Sequence, residues 1–492
     1  MLYNGIELPH PWPPRRETLT TAPLPLPPYL VSPPAVIPID VGRQLFVDDF
    51  LVAESTLTRT YHAARYHPAS PVLVPDRPWE MERGPTAMPF SDGAWYDREE
   101  GLFKLWYMGG YTRYTCYATS RDGLHWEKPA LDVVPGTNIV DEHQRDSNTV
   151  WPDPQGDPTH RYRMVLYGLD HRLWITHSPD GIHWAELTPA GPAGDRTTLF
   201  YNPFRRVWVY SLREYLRGGA GRVRRYWEHP DPLAGAKWRE GEPTLWVGAD
   251  DLDPRRPELD TQPELYNLDC AAYESLVIGL FDVWRGQPSD RPKPNELCLG
   301  FSRDGFHWHR PDRRPFLPVS ERYGDWNWGN VQSAGGCCLV VGDELRFYVS
   351  GRAGVPGTSD SGVCTTGLAV LRRDGFASLD AAEAGGQVLT RPVRFAGRHL
   401  FVNAAVAGGQ LRAEVVDERG QAIPPFTAAN CLPVTRDGTC QPVQWQETAD
   451  LEALTGREVR FRFTLRGGSL YAFWVSAHAS GESGGYVGVE RV

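Results

Sequence analysis

Acidic residues recur at one place in a repeating pattern of this chain, at or near the start of an apolar strand-like segment. They are Glu82, Asp146, Asp195 and Asp269. Two carboxyl groups that face one space can act together, since one protonates a leaving oxygen while the other attacks carbon or activates water. Arg196 follows Asp195, and a neighbouring cation favours an ionised carboxyl group. The pattern predicts paired-carboxylate catalysis.

Two further acids, Glu214 and Glu274, are alternative proton donors because each lies at or after the end of a strand-like segment. Each of the main candidates also has a structural alternative. Asp146 can cap a turn, Asp269 can anchor hydrogen bonds between sheets, and Glu82 can be solvated. The sequence leaves open which carboxyl group is the acid and whether configuration is retained or inverted.

Polar and aromatic residues near the same strand ends are predicted to bind substrate. They are Arg83, Asn148, Arg196, Tyr266, Trp326, Trp328, Asn330, Gln332, Arg213, Asp282 and Arg352. The two tryptophans can stack on a sugar ring, whereas Arg213, Asp282 and Arg352 either line the same space or pair with one another. Carboxyl groups together with tryptophans suit the cleavage of a glycosidic bond.

A short sequence motif that ends in an aromatic residue marks the elements that must position these side chains. Near-copies occupy 120–126, 178–184 and 302–308 with the pattern Ser-x-Asp-Gly-x-His-Trp, and a degenerate copy occupies 372–376. Asp-Gly suits a tight turn, because Asp bonds the following backbone and Gly accepts positive φ. We therefore expect Asp122, Asp180 and Asp304 to be structural, together with the histidine of each copy.

The spacing of the motif predicts five repeating units. Asp122 and Asp180 are 58 residues apart, Asp304 and Asp374 are 70 apart, and the gap of 124 between Asp180 and Asp304 fits two steps with a degenerate unit around 226–238. The units span about 80–135, 140–190, 194–245, 262–315 and 325–380. Several short strands in each unit indicate a β-propeller, in which the starts of the first strands converge on an axial funnel.

The predicted fold class is all-β, with a five-bladed propeller followed by a β-sandwich. Of 492 residues, 49 are Gly and 44 are Pro, which favours strands and turns over long helices. We expect a proline-rich extended segment over 1–38, the propeller over 39–380 and the sandwich over 388–478.

Charge and composition narrow the function classes. A net charge of −10 argues against a nucleic-acid surface, and no apolar run is long enough to span a bilayer. The first residues do not resemble a signal peptide, so a cytoplasmic location is expected.

We expect neither a cofactor nor a metal, and the acidic 250–253 and basic 221–225 stretches are predicted to be solvated. The expected partner is a carbohydrate substrate, and the oligomeric state is left open.

Eight cysteines show no paired C-x-x-C spacing, which disfavours a structural zinc site. Reduced and mostly buried thiols are expected. A Cys431 to Cys440 bridge is the alternative.

On these corners and this layout, residues 40–478 resemble the five-bladed propeller glycoside hydrolases of families 32, 43 and 68, with the C-terminal sandwich of family 32. The resemblance implies a catalytic acid on each of the first three units, namely Glu82 (or Glu80), Asp146 and Asp195. The chain lacks the Trp-Met-Asn-Asp-Pro and Glu-Cys-Pro motifs of family 32, and Asp195 stands where Glu is usual. The alternatives are a glycoside phosphorylase, with Arg196, Arg213 and Arg352 on phosphate, and a non-catalytic sugar-binding or scaffold propeller.

Overall fold

The computed structural model describes residues 1–336, 338–448 and 450–491, and it consists of strands and turns with very short helices. The helical segments are the α-helical turns Pro28–Val31 and Pro232–Gly235 and the 3-10 turns Pro78–Met81 and Glu452–Leu454. Within the described ranges, no helix has the length and apolar character needed to cross a membrane.

Five antiparallel sheets follow one another along the chain from residue 87 to residue 372, and we number them one to five in that order. Their strands are Ala87–Asp97, Leu102–Gly109, Tyr114–Ser120 and Ile139–Asp141 in sheet one; Arg145–Pro152, Tyr162–Gly168, Leu173–Ser178 and Thr188–Pro189 in sheet two; Thr198–Asn202, Val207–Leu216, Gly221–His229 and Thr244–Gly248 in sheet three; Glu264–Glu274, Leu276–Trp284 and Asn295–Ser302 in sheet four; Asn330–Ser333, Leu339–Val341, Glu344–Arg352 and Cys364–Arg372 in sheet five.

The sheets close into a ring. The first strands of sheets one to four contact one another in order, the first strand of sheet five contacts that of sheet one, and sheets four and five meet through their own strands. Arg65–Tyr66 pairs with the last strand of sheet five, so an early segment completes the sheet that closes the ring. The all-β propeller arrangement predicted from the sequence is confirmed, including a sheet where the degenerate unit was expected.

The Asp-Gly corners are structural, as predicted. In sheet two, Asp180 accepts hydrogen bonds from the backbone N–H groups of Ile182 and His183 at 2.8 Å, and its second oxygen lies 2.7 Å from His183 Nδ1. Gly181 has φ +79°, and a Cβ there would meet the ring of Trp106.

The corners also join neighbouring sheets. Trp106 of sheet one donates to the carbonyl of Gly181 in sheet two at 2.7 Å, and Trp246 of sheet three donates to Phe306 in sheet four at the same distance. The hydroxyl of Tyr348 in sheet five donates to Gly123 in sheet one at 2.8 Å. A repeated sequence motif therefore supplies both a turn and the contact that fixes each sheet to its neighbour.

Two further sheets pack face to face around an apolar core that includes Phe461, Phe463 and Phe473. The six-stranded sheet contains Gln44–Leu45, Thr58–Tyr61, Ala377–Ala381, His399–Ala405, Asp437–Pro442 and Gly468–Ser476. The four-stranded sheet contains Val52–Ser55, Gly386–Thr390, Gln410–Val416 and Arg460–Arg466. The short strands Ile37–Pro38 and Val393–Arg394 pair in parallel. This is the second β unit expected after the propeller.

Both ends of the chain cross between the two units. Strands within 44–61 pair with the sandwich, although the sequence boundary assigned them to the propeller, and Tyr486–Val487 and Glu490–Arg491 extend sheet four. The proline-rich N-terminal segment lies along sheets three and four, where Asn4 donates to the carbonyl of Arg303 at 2.9 Å. The two units therefore exchange strands.

The described cysteines are free thiols, and all are buried except Cys440. Cys431 and Cys440 do not form a bridge. Cys337 lies outside the described residues.

Candidate active site

Asp146 lies in a bulge of the first strand of sheet two, between the paired positions Arg145 and Asn148. Its Oδ1 atom is buried and has no hydrogen-bond partner among the residues that the structure describes. Burial raises the pKa of Asp146, and the negative charge of Asp195 raises it further, whereas Arg196 opposes both effects. The carboxyl group is thus held near a second acid in an environment that favours its protonated form.

Asp195 lies three residues before the first strand of sheet three and has a different environment. Its Oδ1 lies 3.3 Å from Nη1 of Arg213, and 42% of its side chain is exposed. Two carboxyl groups that the sequence singled out therefore lie within electrostatic range of each other, one with an unpartnered oxygen and one ion-paired.

Arg196 ties sheet three to sheet one near these acids. Its guanidinium donates to the carbonyl of Phe90 at 3.1 Å and to Oγ of Ser91 at 3.0 Å, and it lies 3.7 Å from the centre of the Phe90 ring. The carbonyl of Arg196 accepts from Arg224 at 2.7 Å. Arg196 has φ +56°, an uncommon value for a residue with a Cβ, so the surrounding contacts hold this backbone in place.

Asp269 is buried in the first strand of sheet four. It accepts from Ser91 at 2.8 Å, from Ser333 at 2.5 Å and from Asn267 at 3.1 Å, which joins the first strands of sheets one, four and five. Burial raises its pKa. These hydrogen bonds agree with the alternative in which Asp269 anchors hydrogen bonds between sheets. All three donors bind the same carboxylate oxygen.

Asp282 has no exposed surface, and neither of its carboxyl oxygens has a hydrogen-bond partner among the described residues. Burial raises its pKa to about 8, although the positive charge of Arg196 opposes the shift. Burial therefore favours the protonated form of Asp282.

Asp92, which sequence reasoning missed, is the buried acid of sheet one. It pairs with Arg145 of sheet two at 2.5 Å, and burial raises its pKa to about 6 despite that partner. Ser91-Asp92-Gly93 interrupts an apolar strand at a bulge between Met88 and Gly93. Asp269 shows the same pattern, an acid inside an apolar strand.

Two predicted residues of sheets four and five, Tyr266 and Arg352, lie within electrostatic range of Asp146. Tyr266 accepts from Lys293 at 2.7 Å, and Arg352 donates to Ser361 at 3.0 Å. The amide of Asn330 donates to the carbonyl of Lys293 at 3.0 Å. Asn148 and Gln332 are also buried on the first strands of sheets two and five.

Several of the predicted catalytic acids are held by ion pairs or hydrogen bonds within the protein. Glu82 is exposed and pairs with Arg113 at 2.9 Å, next to the exposed Arg83. Glu214 pairs with Arg225 at 3.0 Å. The alternative to Glu82 is buried but already engaged, since Glu80 accepts from Tyr107 at 2.7 Å and from Lys128 at 2.8 Å.

Glu274 lies five positions beyond Asp269, roughly 17 Å along an extended strand. It is buried between the propeller and the sandwich, where it accepts from Ser483 at 2.7 Å and from Arg373 at 3.0 Å. Glu274 therefore makes structural contacts between the two units.

The two tryptophans do not present open faces for a sugar. Trp326 covers Gly351 and Gly367 of sheet five, where a Cβ on either glycine would meet its ring, and Tyr66 packs edge-on against it at 5.3 Å. Trp328 is buried, with Arg291 lying 4.8 Å from its ring centre. Protein groups thus contact both rings, which differs from the predicted stacking.

Two stretches predicted to be solvated are partly buried. Asp253 pairs with Arg310 at 2.5 Å and Asp250 with Arg313 at 2.8 Å, so arginines neutralise this acidic stretch. Arg224 has no exposed surface. Among the described residues, no group of three His, Cys, Asp or Glu side chains is arranged to hold a metal ion.

Three solved structures that resemble this chain are of carbohydrate-related proteins. An N-acetylgalactosamine deacetylase from F. plautii is 15% identical with a TM-score of 0.40, covering 68% of this chain and 97% of its own. A thermostable family-43 glycoside hydrolase is 13% identical with a TM-score of 0.40, covering 61% and 94%. A β-1,2-mannobiose phosphorylase from Listeria innocua is 13% identical with a TM-score of 0.41, covering 63% and 96%.

These three proteins carry three different activities, and similarity at this level does not indicate which reaction this chain performs. No protein-family model matches the chain. No curated protein matches it either.

Proposed function

We propose that the propeller funnel cleaves a glycosidic bond, with Asp146 and Asp195 as the catalytic residues. The observation that supports this proposal is the unequal environment of two neighbouring carboxyl groups. Asp146 has a buried, unpartnered oxygen and a raised pKa, whereas Asp195 is ion-paired with Arg213. Glycosidic cleavage needs this asymmetry, since one group must keep its proton while the other is ionised.

In this proposal Asp146 donates its proton to the leaving oxygen. Asp195 then acts on the opposite face of the sugar, either by attacking the anomeric carbon or by activating a water molecule. A carboxyl separation of about 5 Å would favour a covalent intermediate and retention, and about 6.5–9.5 Å would leave room for water and favour inversion. Asp92, Arg145 and Arg196 act as positioning residues that fix the two strands carrying these acids.

The experiment uses the full chain with a panel of aryl glycosides and oligosaccharides, and it measures aglycone or reducing-end release. We expect Asp146→Asn and Asp195→Asn each to lower turnover of a cleaved glycoside by about 10²-fold or more. Asp157→Asn is the matched control, because Asp157 is an exposed loop acid of the same sheet. Its turnover should equal that of the parent protein.

Retention of parental turnover by both funnel variants would contradict the proposal. Saturable sugar binding without any bond cleavage across the panel would instead support the non-catalytic alternative. Product formation that requires added phosphate would identify a phosphorylase that uses the same acid.

A further inference from the structure

Two cations beside Asp146 have no carboxylate partner. Arg352, at the end of the second strand of sheet five, and Lys293, in the loop before the last strand of sheet four, both act on the charge of Asp146. No carboxylate of the described residues lies within ion-pair distance of either one, and Oδ1 of Asp146 accepts no hydrogen bond. Arg352 is buried and Lys293 is half-buried, and leaving such cations unpaired is costly, so their presence needs an explanation.

The hydrogen bonds that these cations do make leave donors free. Arg352 is only 5% exposed, and it donates to Ser361 Oγ at 3.0 Å and to the Tyr111 hydroxyl at 3.4 Å. Its buried Nε has no partner in the described part of the chain. Lys293 donates to the Tyr266 hydroxyl at 2.7 Å, and an ammonium group has three donors.

The two cations also repel each other. Burial, together with the positive charge of Arg352, lowers the pKa of Lys293 to about 8. Like charges placed together in a buried cleft reduce stability, and such arrangements are typical of sites that bind an opposite charge.

Other funnel cations are already engaged. Arg145 pairs with Asp92, and Arg213 pairs with Asp195. Arg196 donates to a backbone carbonyl of sheet one, and Arg224 donates to backbone carbonyls of sheet three. Arg352 and Lys293 are therefore the funnel cations whose hydrogen-bonding partners are hydroxyl groups alone.

We propose that Arg352 and Lys293, with the hydroxyl of Tyr111, bind an oxyanion next to Asp146. Guanidinium groups bind carboxylate and phosphate with paired hydrogen bonds, and an ammonium group adds a compact positive charge. The position of this subsite beside the reacting bond rests on the proposed function. The oxyanion is either inorganic phosphate or the carboxylate of an acidic sugar.

The two sources have different chemical consequences. With phosphate, a phosphate oxygen forms the bond to the anomeric carbon as the glycosidic C–O bond breaks, and the leaving oxygen takes the proton of Asp146, giving a glycosyl phosphate and an alcohol. With an acidic sugar, the subsite selects the substrate, and water remains the acceptor.

Binding is measured first and separately from turnover, by calorimetry of the full chain with inorganic phosphate, glucuronate and galacturonate, and with neutral glucose as a reference. We expect one of the oxyanions to bind, and we expect Arg352→Met and Lys293→Met each to weaken it about tenfold or more. Arg225→Met is the matched control, since Arg225 is a paired arginine that faces Glu214. It should bind as the parent protein does.

Arg352→Lys separates charge from geometry. It keeps the positive charge and loses the guanidinium fork, so intermediate affinity would support paired hydrogen bonding. Each variant is also checked for its unfolding midpoint, and a folded Lys293→Met protein keeps the test valid if Arg352→Met does not fold.

Turnover then distinguishes the two sources. Stimulation by phosphate would identify phosphate as the ligand, and a preference for uronides over the matched neutral glycosides would identify an acidic sugar. Absence of binding by all three oxyanions, or binding that both variants leave unchanged, would overturn the subsite. Cleavage of uronides that depends on Asp146 but not on Arg352 or Lys293, without stimulation by phosphate, would do the same while leaving the proposed function intact.

Discussion

Asp92 and Arg145 form an ion pair of 2.5 Å in which neither side chain has any exposed surface, and it joins the first strands of two neighbouring sheets. Both residues lie at bulges in those strands. The residue after Arg145 is Asp146, so this pair fixes the backbone that presents the proposed proton donor. A buried pair at this place contributes to positioning more than to net stability.

Removing one member of the pair should destabilise the fold. We expect Arg145→Met to lower the free energy of unfolding by about 3 kcal/mol, because Asp92 then stays buried without its cation. Urea unfolding, followed by tryptophan fluorescence, measures the change. The double variant Asp92→Asn with Arg145→Met should lose less than the sum of the two single variants, and strict additivity would show that the pair is not energetically coupled.

The sequence predicted much of the propeller, because the Asp-Gly corner is a local structure with its own hydrogen bonds. Its spacing located the sheets, and this placed Asp146 and Asp195 at converging strand ends. Glu82 was chosen by the same strand-start rule and Asp92 was missed, because the bulge at Met88 to Gly93 brings the polar residues of sheet one into the middle of its strand.

Other errors arose from contacts between distant segments. Trp326 appeared free to stack on a sugar, but Gly351 and Gly367 leave room for its ring against sheet five. Arg224 appeared solvated, but Ser211 and the carbonyl of Arg196 accept from it inside the propeller. Such pairings depend on which sheets become neighbours, and a local pattern does not contain that information.

The corner aspartates should matter for stability and not for turnover. Asp180→Ala removes the acceptor for two backbone N–H groups, and we expect a loss of about 1–2 kcal/mol, similar to the loss of a helix cap. Asp180→Asn keeps an acceptor oxygen at the same place and should lose less. Unfolding midpoints and glycoside turnover are compared, and a large change in turnover by the folded Asp180→Asn protein would contradict the structural assignment.

Asp282 should make stability depend on pH. Its pKa is about 8 in the folded protein, against about 4 when unfolded, so between these values the unfolded chain releases a proton that the folded protein keeps. Stability therefore falls as pH rises from about 4 to about 8, by up to about 1.4 kcal/mol per pH unit. Asp282→Asn removes this dependence.

The measurement is the difference in unfolding free energy between Asp282→Asn and the parent protein across that pH range. The variant should gain relative stability with rising pH. A difference that stays constant would mean that Asp282 titrates alike in the folded and unfolded chains.

Asp146 should control the basic limb of the pH profile if it donates the proton. Because its pKa is raised, activity should decline at a pH above the ordinary carboxyl range. Arg352 lowers the pKa of Asp146, so Arg352→Met should shift the basic limb to higher pH. Asp146→Asn should lose far more activity on glycosides with poor leaving groups than on dinitrophenyl glycosides, whose leaving group needs no proton. Equal losses on both classes would assign Asp146 a role other than proton donation.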